Sequence, residues 1–186
     1  MNKKFIALAL PMVMLIITAT AQDKFYTKGG KIHFVSEGVI ETIEAQHKSV
    51  TCVLDSKAGN LQFSVLLKGF EFRKALMQEH FNEDYVESDK YPKSEFRGQI
   101  MNNSEINYAK DGVYDAKVKG KLSLHGETKE VETTGKITVK GGKVEADADF
   151  NILMSDYKIS IPSLVKQNMS NTIKISVSCN LEPLRG

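Results

Sequence analysis

Apolar and polar side chains alternate with a period of two along most of the chain after residue 30. Lys31–Glu37 places Ile32 and Phe34 on one side. Ser49–Asp55 does the same with Val50, Cys52 and Leu54, and Leu61–Leu67 with Leu61, Phe63, Val65 and Leu67. In Lys93–Met101 the shared face holds Phe96, Gly98 and Ile100. Val113–His125 is the longest regular case: Tyr114, Ala116, Val118, Gly120, Leu122 and Leu124 oppose Asp115, Lys117, Lys119, Lys121 and Ser123. Glu130–Lys140 aligns Val131, Thr133, Gly135, Ile137 and Val139. Lys143–Met154 aligns Val144, Ala146, Ala148, Phe150, Ile152 and Met154, and Thr172–Leu181 aligns Ile173, Ile175, Val177, Cys179 and Leu181. Such alternation describes strands wet on one face and dry on the other, whereas parallel sheets covered on both faces show continuous apolar runs. Gly141-Gly142 marks a tight hairpin; Asp111-Gly112 and His125-Gly126 mark further turns, and Asp55–Asn60 a longer loop. Eight half-buried strands joined mainly by short hairpins predict an all-β, antiparallel up-and-down barrel, with a two-sheet sandwich as the alternative.

Two segments depart from the alternation. Phe72, Leu76, Met77, His80 and Phe81 recur at helical spacing, which predicts one short amphipathic helix, about 73–81, stopping near Asn82. Residues 155–170 carry Ile159, Ile161, Leu164, Val165 and Met169. They form an apolar loop in which Pro162 opposes a continuous strand. Helix and loop are both too apolar for plain connectors, so they are expected at a barrel end.

The N-terminus has a different character. Lys3 and Lys4 precede an apolar run from Phe5 to Ile17, followed by Ala19 and Ala21 in an A-x-A arrangement. This is the layout of a secretory signal peptide over residues 1–21, leaving a domain of residues 22–186 that is exported to the periplasm or secreted. The whole chain carries a formal charge of +2. Without Lys3 and Lys4 it is neutral, so nothing favours nucleic acid, and no integral membrane span is expected in the mature chain. Cys52 and Cys179 each sit within an apolar strand face, so both a buried thiol pair and a disulfide are compatible with the sequence.

No convergent catalytic set is visible. The four histidines, His33, His47, His80 and His125, have no metal-ligand spacing. Asp147 and Asp149 fall on a polar strand face, and Glu83, Asp84 and Glu87 read as a solvated acidic turn. There is no nucleophile elbow, phosphate-binding glycine loop or dinucleotide fingerprint, and no cofactor is implied. The informative feature is the inward face. Small residues recur there on neighbouring strands (Gly98, Ala116, Gly120, Thr133, Gly135, Ala146, Ala148), which leaves open either an interior void or glycines that merely let the strands coil.

Several segments together resemble the YceI-like family: Phe70-Glu71-Phe72, Met77–Glu83, Ser88-Asp89-Lys90-Tyr91-Pro92, Phe96-Arg97-Gly98, Gly120–Gly126, Asp156-Tyr157 and Ile173-Lys174-Ile175. The first strand departs from the family pattern, reading Ile32-His33-Phe34-Val35-Ser36, and the His80–Glu83 and 157–169 stretches resemble a divergent branch. The resemblance implies a lipocalin-like, eight-stranded antiparallel barrel of the bacterial envelope. It also implies a non-enzymatic role, binding an apolar or amphiphilic small molecule of the isoprenoid lipid or quinone class. On this reading the cavity is lined by Phe34, Val50, Leu54, Phe63, Val65, Phe96, Ile100, Val118, Leu122, Ile137, Phe150, Ile152 and Ile175. Gly98, Gly120 and Ala148 make space, and Phe72, Leu76, Met77, Leu164 and Val165 guard the mouth. A filled structural barrel, or a lipid-modifying enzyme using His80 and Glu83, are the alternatives.

Overall fold

The computed structural model describes residues 23–38, 42–161 and 170–184. The expected leader at 1–21 and the loop positions Leu164 and Val165 therefore lie outside the described residues. Nine strands run antiparallel: β1 Lys24–Glu37, β2 Thr42–Asp55, β3 Asn60–Leu66, β4 Glu71–Phe72, β5 Lys93–Ile100, β6 Gly112–Leu124, β7 Glu127–Lys140, β8 Lys143–Leu153 and β9 Thr172–Pro183. β1 pairs with both β2 and β9, so eight strands close into a barrel in the order β1-β2-β3-β5-β6-β7-β8-β9. The two-residue β4 stands outside that ring. It takes the edge of β2 that β3 leaves free, through Ala45↔Phe72 and Gln46↔Glu71. Closure removes the open sheet edges that an eight-stranded sandwich would have to protect.

The first two strands begin well before the alternation suggests, and the cause is a shared bulge. Gly30 pairs with Val50, but Ile32 pairs with His47, so Lys48 and Ser49 oppose Lys31 alone and β2 carries one extra residue. The bulge inverts the inward phase: Ala45 and His47 are buried before it, and Val50, Cys52 and Leu54 after it. A one-residue slip moves every side chain to the other face, so period-two counting breaks at this point. His47 holds the bulge. Its Nδ1 accepts from the Ser49 N–H (3.0 Å) and its Nε2–H donates to the Leu66 carbonyl (3.1 Å). Gly69 lets the ring approach, because a Cβ there would overlap His47 Nε2.

Between β3 and β5 the chain forms the short helix α1, Ala75–His80, and then a π-turn over Phe81–Tyr85. The helical segment therefore runs past Asn82, where a stop was expected. Asn82 does not end it, because its side-chain Nδ2 donates to the Gln78 carbonyl (2.8 Å), and the Val86 N–H closes onto Phe81 O (2.9 Å). Met77 of α1 and Phe81 and Tyr85 of the π-turn lie on the face that meets the barrel.

Two buried clusters bracket the interior. One end is filled by residues including Phe25, Cys52, Leu54, Leu61, Ile106, Val139, Val144 and Leu181, with Tyr108 stacked against Phe25 at 6.1 Å. The other end holds Ala45, Val50, Leu67, Phe70, Val86, Met154, Tyr157 and Ile159, so the described part of the apolar loop packs at this end. Cys52 and Cys179 are free, buried thiols. They meet beside Gly30, and hydrogen bonding to Cys179, followed by burial, pushes the Cys52 thiol well above its usual range.

Candidate functional site: an apolar cavity along the barrel

A cavity of about 350 Å³ lies between the two clusters. That is within the roughly 300–1,000 Å³ of small-molecule sites. The interior is therefore hollow rather than filled. The lining includes Ala116 and Leu124 of β6, eight residues apart on one strand. At about 3.3 Å per residue and a strand tilt near 40°, the space extends roughly 20 Å along the barrel axis. Such a shape suits a chain better than a compact ring system.

Apart from Leu164 and Val165, each expected site residue has a definite place. Phe34, Phe63, Val65, Phe72, Met77, Phe96, Ile100, Val118, Leu122, Ile137, Ala148, Phe150, Ile152 and Ile175 border the cavity. Five others do not. Val50 is fully buried beside the β1–β2 bulge, and Leu54 is fully buried within the far cluster. Leu76 is 62% exposed on the outer side of α1. Gly98 and Gly120 face each other across the β5–β6 ladder, and the ring of Phe96 already fills the space above them. A Cβ on Gly120 would sit 2.5 Å from Phe96 Cζ and 2.6 Å from Arg97 O. These glycines make room for a phenyl ring and for close strands, not for a guest. Among the described residues Gly135 is the glycine that borders the cavity, and its absent Cβ permits contact with the β8 backbone.

The mouth is aromatic. Phe34, Phe70, Phe72 and Phe81 form one cluster, with ring centroids 5.1–5.9 Å apart. Offset and edge-on rings of this kind add about 0.5–1.5 kcal/mol per pair beyond their burial. Phe70, Phe81 and Tyr85 were not among the expected site residues. The i, i+4, i+8 spacing of Met77, Phe81 and Tyr85 was the available signal, and it is visible only if the helix is carried through to Tyr85.

Polar groups fasten the mouth segments to the wall. His125, in a left-handed conformation (φ 52°), donates from Nδ1 to the Tyr157 carbonyl (2.9 Å) and from Nε2 to Glu87 (2.8 Å). Lys158 pairs with Glu127 at 2.6 Å, and this bond holds the Glu127 carboxyl below its usual range. These contacts cross a split in the wall. The β7–β8 ladder ends at Gly135↔Ala148, whereas β6–β7 continues to Leu124↔Glu127 and β8–β9 to Leu153↔Thr172. One side-chain bond continues across the gap, from Thr133 Oγ1 to Asp149 O (2.9 Å).

His80 borders the mouth, but its partner is Asp84 at 2.6 Å, one turn on, and not Glu83, which is exposed. Among the described residues no group of three or more His, Cys, Asp or Glu could hold a metal ion. Among them, too, no helix is long and apolar enough to cross a membrane.

Comparison with known proteins follows the same lines. Among solved structures, a polyisoprenoid-binding domain from Saccharophagus degradans implicated in plant cell wall breakdown aligns with a TM-score of 0.76 at 14% identity. The alignment covers 88% of this chain and 99% of that one. BcnA from Burkholderia cenocepacia aligns with a TM-score of 0.66 at 17% identity, covering 82% and 95%. At these identities the two neighbours show the shared fold. A search of curated proteins finds no match. The model of the YceI-like domain matches residues 24–181, from the start of β1 almost to the end of β9, and the chain therefore belongs to the YceI-like family.

Proposed function

We propose that the protein is an exported carrier or sequestering protein that encloses one apolar or amphiphilic molecule of the isoprenoid lipid or quinone class, and that it catalyses no reaction. The observation that carries this reading is the elongated, almost wholly apolar cavity between two packed ends. Removing an apolar chain from water contributes about 0.8 kcal/mol per methylene, which is enough to hold a long chain without any polar recognition. The YceI-like membership and a neighbour described as a polyisoprenoid-binding domain support the ligand class. The basic, apolar and A-x-A layout of residues 1–21 supports export.

Native mass spectrometry of the mature chain, gently isolated from the envelope of its host, tests the proposal. A stoichiometric adduct that is lost on solvent extraction, and identified as an isoprenoid in the extract, is the expected result. A chain without adduct that also takes up no added prenyl lipid would overturn it.

A further inference from the structure

At the mouth of this largely apolar cavity, two polar atoms, His80 Nε2 and the Tyr85 hydroxyl, have no protein partner among the described residues. His80 stands at the rim, half exposed, and bonds through Nδ1 to Asp84 (2.6 Å), while its Nε2 meets no other protein group among the described residues. Tyr85 borders the same mouth, and its hydroxyl has no hydrogen-bond partner among the described residues. The other hydroxyls bordering the cavity are engaged: Ser36 with the Ser170 carbonyl, Ser94 with the Ser123 carbonyl, Thr133 with the Asp149 carbonyl. An amphiphile buried chain-first would leave its head at this rim.

We propose that His80 and Tyr85 form a head-group subsite for an uncharged, hydroxyl-bearing head, an alcohol or a phenol of the hydroquinone kind. The inference rests on the cavity being a lipid site. Asp84 orients the His80 ring. With Nδ1 directed at the Asp84 carboxylate, Nε2 is the ring nitrogen left to meet a ligand hydroxyl, which can both donate and accept. Tyr85 supplies a hydroxyl that donates or accepts beside it.

The surrounding charge selects against an anionic head. The stretch from Arg73 to Asp84 holds Arg73 and Lys74 against Glu79, Glu83 and Asp84. Arg73 is already held by Glu44 (2.6 Å), and on the neighbouring strand Lys48 is held by Glu71 (2.8 Å). A phosphate or carboxylate would therefore enter a region with excess negative charge, which disfavours it.

The test compares three probes on the delipidated mature chain: geranylgeraniol, geranylgeranyl phosphate, and phytane, which has the same branched skeleton without a head. Affinities are read by displacement of a fluorescent polyene. Geranylgeraniol is expected to bind tightest. Tyr85→Phe and His80→Phe keep the ring volume, and each is expected to reduce the geranylgeraniol preference over phytane by about two- to tenfold, the range for one neutral hydrogen bond. Thermal unfolding monitors the fold of both variants, and Tyr85→Phe, which removes a single oxygen, keeps the test valid if His80→Phe is unstable. An unchanged preference in Tyr85→Phe and in a folded His80→Phe, or a phosphate that binds as well as the alcohol, overturns the head-group assignment while leaving the cavity reading in place. Failure of all three probes to bind overturns both.

Discussion

Val118→Phe separates a hollow barrel from a packed one by the sign of its effect. Val118 lies on β6 between Ile100 and Thr133, inward and half-buried, at the wall of the cavity. The substitution adds about four carbons. In a filled core, overpacking of that size costs about 1–3 kcal/mol in off-rotamer side chains and shifted backbone. Beside a cavity of about 350 Å³ the ring has space to enter. The added carbons are then buried without displacing protein, so stability is unchanged or rises. The guest bears the loss. If about four of its methylenes are displaced at roughly 0.8 kcal/mol each, affinity falls by about 3 kcal/mol, or on the order of a hundredfold. Urea unfolding of the delipidated chain gives the first quantity, and displacement of a fluorescent polyene by geranylgeraniol gives the second. A variant destabilised by 2 kcal/mol or more that binds geranylgeraniol normally would refute the reasoning.

Gly120→Ala has the opposite profile: with Phe96 and the Arg97 carbonyl within 2.6 Å of the new methyl group, a loss of about 2–3 kcal/mol is expected in urea unfolding. His47→Ala removes both the acceptor for Ser49 N–H and the donor to Leu66 O from a site that is 3% exposed, and should cost about 3 kcal/mol or more by the same measurement. Burial, with a smaller effect of Asp156, pushes the Tyr157 phenol up to about 12. Between pH 10 and 12 the unfolded chain releases this proton while the folded chain retains it. The contribution is therefore complete below about pH 10 and is lost as pH rises towards 12, by on the order of 2 kcal/mol. Unfolding midpoints measured across that window should fall less steeply in Tyr157→Phe than in the parent.

Much of the architecture is legible in the chain itself, and the exceptions have physical causes. β6 alternates from Val113 to Leu124 without a break, and its observed bounds differ by a single residue. The hairpins at His125-Gly126 and Gly141-Gly142 announce themselves because both positions adopt positive φ. The early halves of β1 and β2 are obscured because the Gly30–Val50 bulge reverses the inward phase. The barrel wall is readable because inward residues follow from parity. What inward residues touch is not readable. Gly98 and Gly120 are inward and small, yet Phe96 folds over them, a diagonal contact that depends on a rotamer. Leu76 and Met77 share a helix but not a face: Met77 meets the cavity and Leu76 faces solvent.

The central claim is that a chain-like apolar molecule occupies the barrel interior. Methyl NMR of isoleucine-labelled mature protein, titrated with geranylgeraniol, tests it most directly. Ile100, Ile137, Ile152 and Ile175 border the cavity, whereas Ile106 is equally buried in the far cluster without touching it. Saturating shifts of the four lining methyl groups with an unmoved Ile106 are the predicted result. Shifts confined to surface methyl groups, with the four interior signals unchanged at saturation, would contradict the account.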